Sequence, residues 1–411
     1  MRTLLTMAWR NLWRNKRRTG ILICAMVVGL AGVLVLMGLI EGWLDQMVDA
    51  SVRSYEGHVK VTAEGYRQNP IVEHHMRSYA SLLSELEDDS RVEGWAERVA
   101  VQGLLSTAEH SEMVRIIGID PDQESRVSNV PGAVREGSFF DSPGGAWNPV
   151  LIGGRLAEKL GRSVGKKVVL MSQQDGNELG SGAFRIAGVF DTGHGVLDRH
   201  TVYILKADAQ KLLNLGDRIT EAVVMLQDVE DSEAVTQALA RKLEDEPVEV
   251  TSWRQRLPII SDGIEISRRM MFLYYGIFYV AMAFGIVNTL LMAIGERTHE
   301  IGVMVAIGMN RGRLVLLVVL ESFLVSLVSA AIGTCVGCAI VTWIGYTGID
   351  LTALADVIEY FGIGRVLYPR LSLPSVAFAA LATIGVGLAF SLYPALHASR
   401  LIPVEAIRRI R

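Results

Sequence analysis

Cysteine is scarce in this chain of 411 residues. The three cysteines, Cys24, Cys335 and Cys338, all lie in apolar runs, so the polar block in the middle of the chain contains none. That block must therefore fold without disulfide bonds. Cys335 and Cys338 have C-x-x-C spacing, but an apolar run provides neither the polar surroundings nor the βα context of a redox site. The sequence does not indicate a redox function.

Motifs for nucleotide binding, metal binding and hydrolysis are also missing. The segment Gly161–Lys167 has one residue too few between its glycines for a phosphate loop, and no Ser or Thr follows Lys166, so we interpret it as a turn before a strand. The eight histidines are scattered without H-E-x-x-H spacing, and no G-x-S-x-G is present. We expect no catalytic residues, no metal site and no cofactor in this chain.

Charged residues are nearly absent from four long stretches: Ile21–Ile40, Met270–Gly295, Leu314–Ile349 and Leu371–Ser399. Each is long enough for the roughly 20 residues that cross a bilayer. The third contains one acid, Glu321. A cleaved signal peptide over residues 1–40 is excluded, because the apolar run is too long and no small-residue cleavage site follows it. The sequence therefore predicts a multi-pass membrane protein with four transmembrane helices.

Charge asymmetry predicts the orientation of these spans. Basic residues without acids precede Ile21, and basic residues also stand in the loop 296–313 and in the tail after residue 399, whereas acids outnumber bases in 350–370. The positive-inside rule then places both termini and the 296–313 loop in the cytoplasm. The polar block between the first two spans is therefore expected in the periplasm, and the protein in the inner (plasma) membrane. A net charge of −4 gives no reason to expect nucleic acid.

The polar block has the pattern of an α+β domain. Alternation and β-branched residues predict strands at His58–Thr62, Arg98–Leu105, Val114–Ile119, Val150–Ile152, Lys167–Ser172, Phe184–Phe190, Val202–Leu205, Ala222–Leu226 and Val248–Thr251. Helices are predicted at Ser78–Glu87, Arg155–Leu160, Lys206–Leu213 and Ser232–Glu244. The glycine-rich stretch 173–183 is interpreted as a hairpin loop.

The chain order follows from these assignments. We predict a cytoplasmic interfacial helix (1–19), the first span with a stalk (20–52), the α+β domain (53–253), a stalk with the second span (254–295), a cytoplasmic loop containing a short helix (296–313), the third span (314–349), a short periplasmic loop (350–370), the fourth span (371–399) and a cytoplasmic tail (400–411). The interfacial helix would place Leu5, Trp9, Leu12 and Trp13 on one side. The two stalk stretches could equally be core helices of the domain.

Several phrases resemble a known family. The segment NTLLMAIGERTHEIGVMVAIGMNRGRL after residue 287 resembles the signature of FtsX-like ABC-transporter permeases. The phrases ERVAVQGLL, IIGIDPDQE, LIGGRLAEKLGRSVGKKVVL and FRIAGVFDTG resemble the periplasmic core domain shared by MacB-type exporters and lipoprotein-releasing (Lol-type) permeases, and IIGIDPDQE leans towards the Lol type. The ending SLYPALHASRLIPVEAIR and the start AWRNLWRNKRRTG resemble the same family.

This resemblance implies partners that composition alone does not indicate. They are a dimer of ABC ATPase subunits that binds ATP and Mg²⁺, a second permease subunit (a copy or a paralogue), lipoprotein substrates and a periplasmic carrier. The implied function is mechanotransmission that extracts lipoproteins for delivery to the outer membrane. Two alternatives stay open: export of a small molecule or peptide with a periplasmic adaptor, and regulation of a periplasmic hydrolase. Two departures matter: the sequence has no fused ATPase domain, and the 173–183 loop lacks the proline and apolar tip of a carrier-binding loop.

Candidate site residues fall into four groups. The ATPase-coupling group follows from the resemblance and from helical spacing, with an apolar stripe expected to enter a groove of the ATPase: Glu296, Arg297, Glu300, Ile301, Met304, Val305 and Gly308. Polar or close-packing positions in the spans are Asn288, Glu321, Gly333 and Gly337. Positions expected to face acyl chains are Leu36, Ile40, Tyr275 and Tyr279, and a periplasmic partner loop is expected at Asp175, Gly176, Asn177 and Glu178.

Overall fold

The structure, a computed structural model, describes residues 2–140, 148–193, 195–352 and 366–400. Contacts divide them into two compact units. The helical unit contains the described residues up to 44, from 264 to 350 and from 366 to 400. The sheet unit is built on residues 45–263. The predicted tail beyond residue 400 and most of the predicted 350–370 loop lie outside the described residues.

Helices are given in chain order. They are α1 (Arg2–Arg14), α2 (Lys16–Ser51), α3 (Ala80–Asp88), α4 (Pro121–Val127), α5 (Gly154–Leu160), α6 (Gly195–His200), α7 (Lys206–Leu213), α8 (Ser232–Lys242), α9 (Trp253–Arg256), α10 (Pro258–Glu296), α11 (Thr298–Ala306), α12 (Arg311–Thr347) and α13 (Leu373–Ser399). A π-helical turn, Val52–Glu56, follows α2. Helices α2, α10, α12 and α13 are long and apolar enough to cross a membrane, which confirms the four predicted spans.

The first helix is shorter than predicted. α1 ends at Arg14, and α2 begins at Lys16, so residues 16–19 belong to the first span helix and not to the interfacial helix. Leu12 is buried, whereas Leu5, Trp9 and Trp13 are exposed. The two tryptophan rings lie edge to face, 5.9 Å apart. This exposed aromatic face suits a helix at a membrane interface.

Small side chains let α12 and α13 pack closely. On α13, Ala379, Thr383, Gly387, Ser391 and Ala395 recur at every fourth residue and are all buried. A Cβ on Gly387 would collide with the Ser326 hydroxyl of α12. Such stripes allow membrane helices to approach at backbone distance. The start of α13 is also tied to α2, because the Ser372 amide donates to the Glu41 carboxylate at 3.0 Å.

The sheet unit has its strands in one connected network. They are β1 (Val59–Ala63), β2 (Val92–Ser106), β3 (Ser111–Ile119), β4 (Val134–Gly137), β5 (Asn148–Gly153), β6 (Lys167–Gln173), β7 (Leu179–Phe190), β8 (Thr201–Leu205), β9 (Glu221–Leu226) and β10 (Val248–Ser252). A separate short pair, β11 (Ile349–Asp350) and β12 (Val366–Leu367), lies in the helical unit.

The strand order is β10-β1-β9-β2-β3-β8-β5-β7-β4, and β6 bridges β2 and β7. The bridge closes β2, β3, β8, β5, β7 and β6 into a hydrogen-bonded ring, while β9, β1 and β10 extend from the first half of β2. Pairs β3–β8 and β5–β7 are parallel, and the others are antiparallel. One apolar core joins the ring to the extension, with Val61, Leu105, Ile116, Phe184 and Val224 among its buried members.

The nine predicted strands correspond to β1–β3 and β5–β10. The predicted loop at 173–183 is too long, because Gln173 ends β6 and Leu179 already begins β7. Gly180 and Gly182 pair through the backbone with Ser172 and Leu170 of β6, and a ladder requires only backbone groups. Strand β4 and helices α4, α6 and α9 were not predicted, because each is too short to show a period.

Candidate functional site

The segment between α10 and α12 is the candidate ATPase-coupling element. Arg297 leaves helical geometry (φ −106°, ψ 14°) between α10 and α11. Gly308, at φ +103°, takes the left-handed conformation that ends the turn after α11, which explains a glycine there. The Asn310 side chain then caps α12 by accepting from the Gly312 amide at 3.0 Å. α11 is thus a separate short helix with a sharp turn at each end.

Two ion pairs join α1 to this element and the start of α2 to Glu296, the last residue of α10. Arg14 contacts Glu300 at 2.7 Å, and Arg18 contacts Glu296 at 2.9 Å. The hydrogen bond from Arg14 lowers the pKa of Glu300 below its usual value; burial opposes this effect, and a hydrogen bond from Arg297 supports it. Glu300 therefore stays ionised at neutral pH.

Glu321 extends these contacts to α12, the third span. It accepts from the Asn11 carboxamide of α1 at 2.7 Å and pairs with Arg297 at 3.3 Å. We call Asn11, Arg14, Arg18, Glu296, Arg297, Glu300 and Glu321 the basal network. A carboxylate among apolar helix residues is stabilised when such partners surround it. The acids and Arg297 were predicted as site residues from the sequence, but Asn11, Arg14 and Arg18 were not. The signal for them was the charge: the first residues are basic without acids, whereas the 296–313 segment contains Glu296 and Glu300.

The apolar face of α11 packs inside the chain, which corrects the predicted groove contact for Ile301. Ile301 is 5% exposed and lies in a cluster with Ile294, Leu314 and Val318. Met304 and Val305 pack against the same cluster and are half-buried. The exposed apolar side chain of the element is Ile307, at 82%. Helical spacing identifies an apolar face, but it does not say whether that face meets its own chain or a partner.

The remaining membrane positions separate into two kinds. Gly333 and Gly337 of α12 lie against α2, where a Cβ at Gly333 would meet Leu30 at 3.1 Å and one at Gly337 would meet Leu34 at 2.7 Å. Asn288 instead has an exposed side chain on α10. The glycines therefore serve packing within the chain, whereas the polar Asn288 faces outward.

The four positions predicted to face acyl chains do not share one surface. Tyr275 is buried with Leu34 and Ala379, because its ring fills space between helices. The prediction that Tyr275 faces acyl chains is therefore wrong. The Tyr279 hydroxyl donates to the Ala379 carbonyl at 3.0 Å. Leu36 and Ile40 are half-buried. Leu36 lines a groove of about 430 Å³ between α2 and α12, whose lining consists of apolar side chains and Gly32.

The predicted partner loop is a tight turn held against the sheet unit. Asp175 pairs with Arg218 at 2.8 Å, and its amide donates to the Leu213 carbonyl. Gly176 and Asn177 both have positive φ. Glu178 is exposed. The contacts of Asp175 hold the start of this turn to the rest of the sheet unit.

Two family models match most of the chain. The model for the MacB-like periplasmic core domain matches residues 19–242, and the model for the FtsX-like permease C-terminal region matches residues 272–403. The chain belongs to the MacB-type, FtsX-like family of ABC transporter permeases. The coupling element and basal network therefore lie mainly within the FtsX-like part of this permease. Among the described residues of the permease, no three His, Cys, Asp or Glu side chains group as a metal site would.

Curated relatives refine the comparison. The permease is 25% identical to the lipoprotein-releasing system transmembrane protein LolC of Xylella fastidiosa, over 96% of each chain. It is 23% identical to LolE of Haemophilus influenzae, over 94% of this chain and 91% of that one. It is also 24% identical to the pyoverdine export ATP-binding/permease protein PvdT of Pseudomonas aeruginosa, over 97% of this chain but 58% of that one.

Proposed function

We propose that this permease is the transmembrane subunit of an ATP-driven complex that extracts lipoproteins from the inner membrane by mechanotransmission. The observation that carries the proposal is the end-to-end similarity to LolC, which covers 96% of both chains. ATP hydrolysis takes place in separate ATPase subunits, and this chain converts their closure into movement of helices.

The proposed path begins at the coupling element. An ATPase that binds the solvent-exposed side of α11 pushes on a helix whose Glu300 pairs with α1 and whose apolar cluster includes residues of α12 and α13. Next to α11, Arg297 pairs with Glu321 of α12, and Glu296 at the end of α10 pairs with Arg18 of α2. The helices then move together, since packed interiors transmit displacement with little compression. α2 has 36 residues and α10 has 39. At about 1.5 Å per residue each is more than 50 Å long, well beyond the roughly 30 Å hydrocarbon core. Each unbroken helix therefore carries motion past the bilayer.

Assembly with a second permease subunit, identical or paralogous, is part of the proposal. Polar side chains in membrane helices usually face other helices and not lipid. The exposed Asn288 on α10 fits such a contact. Both termini and α11 would then lie in the cytoplasm with the ATPases, and the sheet unit in the periplasm, as the distribution of basic residues indicates.

The cargo assignment has structural support in the groove beside Leu36. A lipid-anchored substrate arrives laterally from the bilayer, and its acyl chains need an apolar surface. The groove between α2 and α12 has that character. Export of a small molecule is the second candidate, favoured by the similarity to PvdT over 97% of this chain. A hydrated small molecule would require polar groups that this groove does not contain.

Lipoprotein sorting tests the proposal directly. Depletion of the permease in its native host should leave outer-membrane lipoproteins in the inner membrane, as measured by membrane fractionation. A photo-crosslinking residue at Leu36 or Ile40 should capture lipoproteins in cells. The adduct should be less abundant in cells with ATP turnover than in cells without it. The same crosslinker at the buried Tyr275 serves as the matched control and should capture little.

Normal sorting after depletion, together with no lipoprotein adduct at Leu36 or Ile40, would contradict extraction. Accumulation of an exported metabolite inside the depleted cells would then favour the export function.

A further inference from the structure

The sheet unit contains a cavity of about 580 Å³, which lies in the roughly 300–1,000 Å³ range of pockets for small organic molecules. Its walls come from the π-helical turn after α2, from β2 and β3, from α6 and from the start of α10. It is separate from the coupling element and from the groove beside Leu36, and its lining lies entirely within residues 45–263.

One side of this cavity is apolar and open. Met113 of β3 is 68% exposed and Val196 of α6 is 56% exposed, and both line it together with Leu197, Leu257 and Ile260. Large apolar side chains left exposed around a concavity mark a surface for an apolar ligand. The apolar wall therefore suits a hydrocarbon chain.

The same cavity borders a buried cluster of charges, since Tyr55, Glu56 and Arg115 also line it. Glu221 is fully buried and accepts from the Tyr55 hydroxyl at 2.9 Å, while Lys60 and Arg115 pair with it at 3.5 and 3.3 Å. Glu56 pairs with Lys60 at 3.2 Å and with Arg256 at 2.6 Å. Burial alone would raise the pKa of Glu221 and Glu56, but the neighbouring cations lower both, so these acids stay ionised.

A second pair completes the cluster. Arg98 forms a two-point contact with Glu124 at 2.9 and 2.7 Å, and both side chains are fully buried. Glu124 belongs to the sequence phrase GIDPDQE and lies in α4. Asp120 of the same phrase caps α4 by accepting from the amides of Asp122 and Gln123, and the helix positions Glu124. Charge-assisted contacts of this geometry hold an arginine firmly in place.

The cluster has an excess of positive charge. Its cations are Lys60, Arg98, Arg115 and Arg256, and its carboxylates are Glu56, Glu124 and Glu221, which leaves one cation in excess. Two acids line the cavity: Glu56 pairs with Lys60 and Arg256 as above, and Glu112 is neutralised by Lys159 at 2.7 Å. Arg115 is the cation with access to the cavity: its side chain is 31% exposed, against 0–9% for the other three.

We propose that this cavity binds a single-chain amphiphile with an acidic head group, with the head on Arg115 and the chain against Met113 and Val196. A carboxylate or phosphate matches the excess charge and the guanidinium geometry. His200, which also lines the cavity, provides a further nitrogen near the head. This site does not depend on the cargo assigned above, since it lies in the sheet unit and not in the spans.

Photolabelling of the full chain in lipid nanodiscs tests the site. The probe is dodecanoic acid with a diazirine on its chain, and labelled peptides are identified by mass spectrometry. We expect labelling of peptides that contain Met113 and Val196. Unlabelled dodecanoate or dodecyl phosphate should compete, and the better competitor identifies the head group. Dodecanol, which has the same chain without charge, should not compete.

Variants separate binding from folding. Arg115→Met should reduce this labelling roughly tenfold, since it removes a charge-assisted hydrogen bond. Arg67→Met, at an exposed arginine paired with Glu249, is the matched control and should label normally. Because Arg115 also contacts Glu221, Met113→Asp provides a second variant at an exposed position, and it should reduce labelling without disturbing the cluster. Equal competition by dodecanol, or unchanged labelling in both variants, overturns the proposal.

Discussion

His58 illustrates how a single side chain makes the sheet unit sensitive to pH. It is buried just before β1, and its Nδ1 accepts from the Leu226 amide at 2.9 Å, so the ring is neutral. Burial, with the nearby positive charge of Arg53, lowers the pKa of His58 from 6.5 to about 4. Between these two values the unfolded chain binds a proton that the folded chain does not. Stability from this group is therefore complete above pH 6.5 and is lost as the pH falls towards 4.

We expect His58→Asn to reduce the loss of stability between pH 6.5 and 4. At about 1.36 kcal/mol for each pKa unit, the effect is at most about 3 kcal/mol. The measurement is hydrogen exchange in β1 and β9 peptides of the full chain, corrected for the intrinsic effect of pH. His110→Asn, at an exposed turn residue, is the control. An unchanged pH profile in His58→Asn would show that His58 has the same pKa in the folded and the unfolded chain.

At this scale, ionisable residues can be read from the sequence, but their pairings cannot. Glu321 was recognised as costly in an apolar run, yet its partners Asn11 and Arg297 come from α1 and from the junction of α10 and α11. Glu124 and Arg98 lie in different elements, 26 positions apart. Such pairs depend on how strands and helices are placed in three dimensions, and no local spacing encodes that.

At the scale of a helix, the sequence identified the apolar face of the coupling element but not what that face packs against. Periodicity predicted a short helix after the second span and identified Ile301, Met304 and Val305 as its apolar face, and α11 has that face. The face packs against α12 and α13, so the surface left for an ATPase contains Ile307 and the charged side of the helix. In the 173–183 stretch, composition was misleading: glycine and serine there pair as part of a strand, although they are typical of loops.

We therefore expect Ile307→Asp to uncouple the complex. A charge placed in an apolar groove of the ATPase costs about 3 kcal/mol, which weakens association roughly a hundredfold. The readout is substrate-stimulated ATP hydrolysis and co-purification of the ATPase with tagged permease from its host. Ile307→Leu preserves the contact and should behave as the parent chain. Full stimulation in Ile307→Asp would remove Ile307 from the interface.

At the scale of the whole chain, hydropathy and charge were the most informative signals. The four apolar runs predicted the four long helices, because a bilayer demands a long uncharged helix that few other structures require. The α+β character of the polar block followed from its strand patterns. The closure of six strands into a ring did not, since it depends on β6 pairing with β2, which is distant in sequence.

Orientation can be measured on the intact protein. After replacement of Cys24, Cys335 and Cys338 by alanine, single cysteines are placed at Ala108, in the turn between β2 and β3, and at the exposed His299 of α11. A membrane-impermeant maleimide should label Ala108→Cys in intact spheroplasts and His299→Cys only after permeabilisation. The opposite pattern would invert the proposed topology and remove the ATPase from α11.

The position of β1 in the sheet has a consequence for biosynthesis. Its two neighbours are β9 and β10, and Val59 lies opposite Val224 on one side and Ser252 on the other. At roughly 5–20 residues per second, the ribosome needs about 10 to 40 s to proceed from β1 to β10. The first span is already made when that interval begins. Until β9 is complete, β1, which has an apolar face of Val59, Val61 and Ala63, has no partner on either edge, and until β10 is complete it lacks one of the two. The nascent chain must therefore be shielded during this time, and a stall in translation before residue 252 would leave an aggregation-prone edge exposed at the membrane.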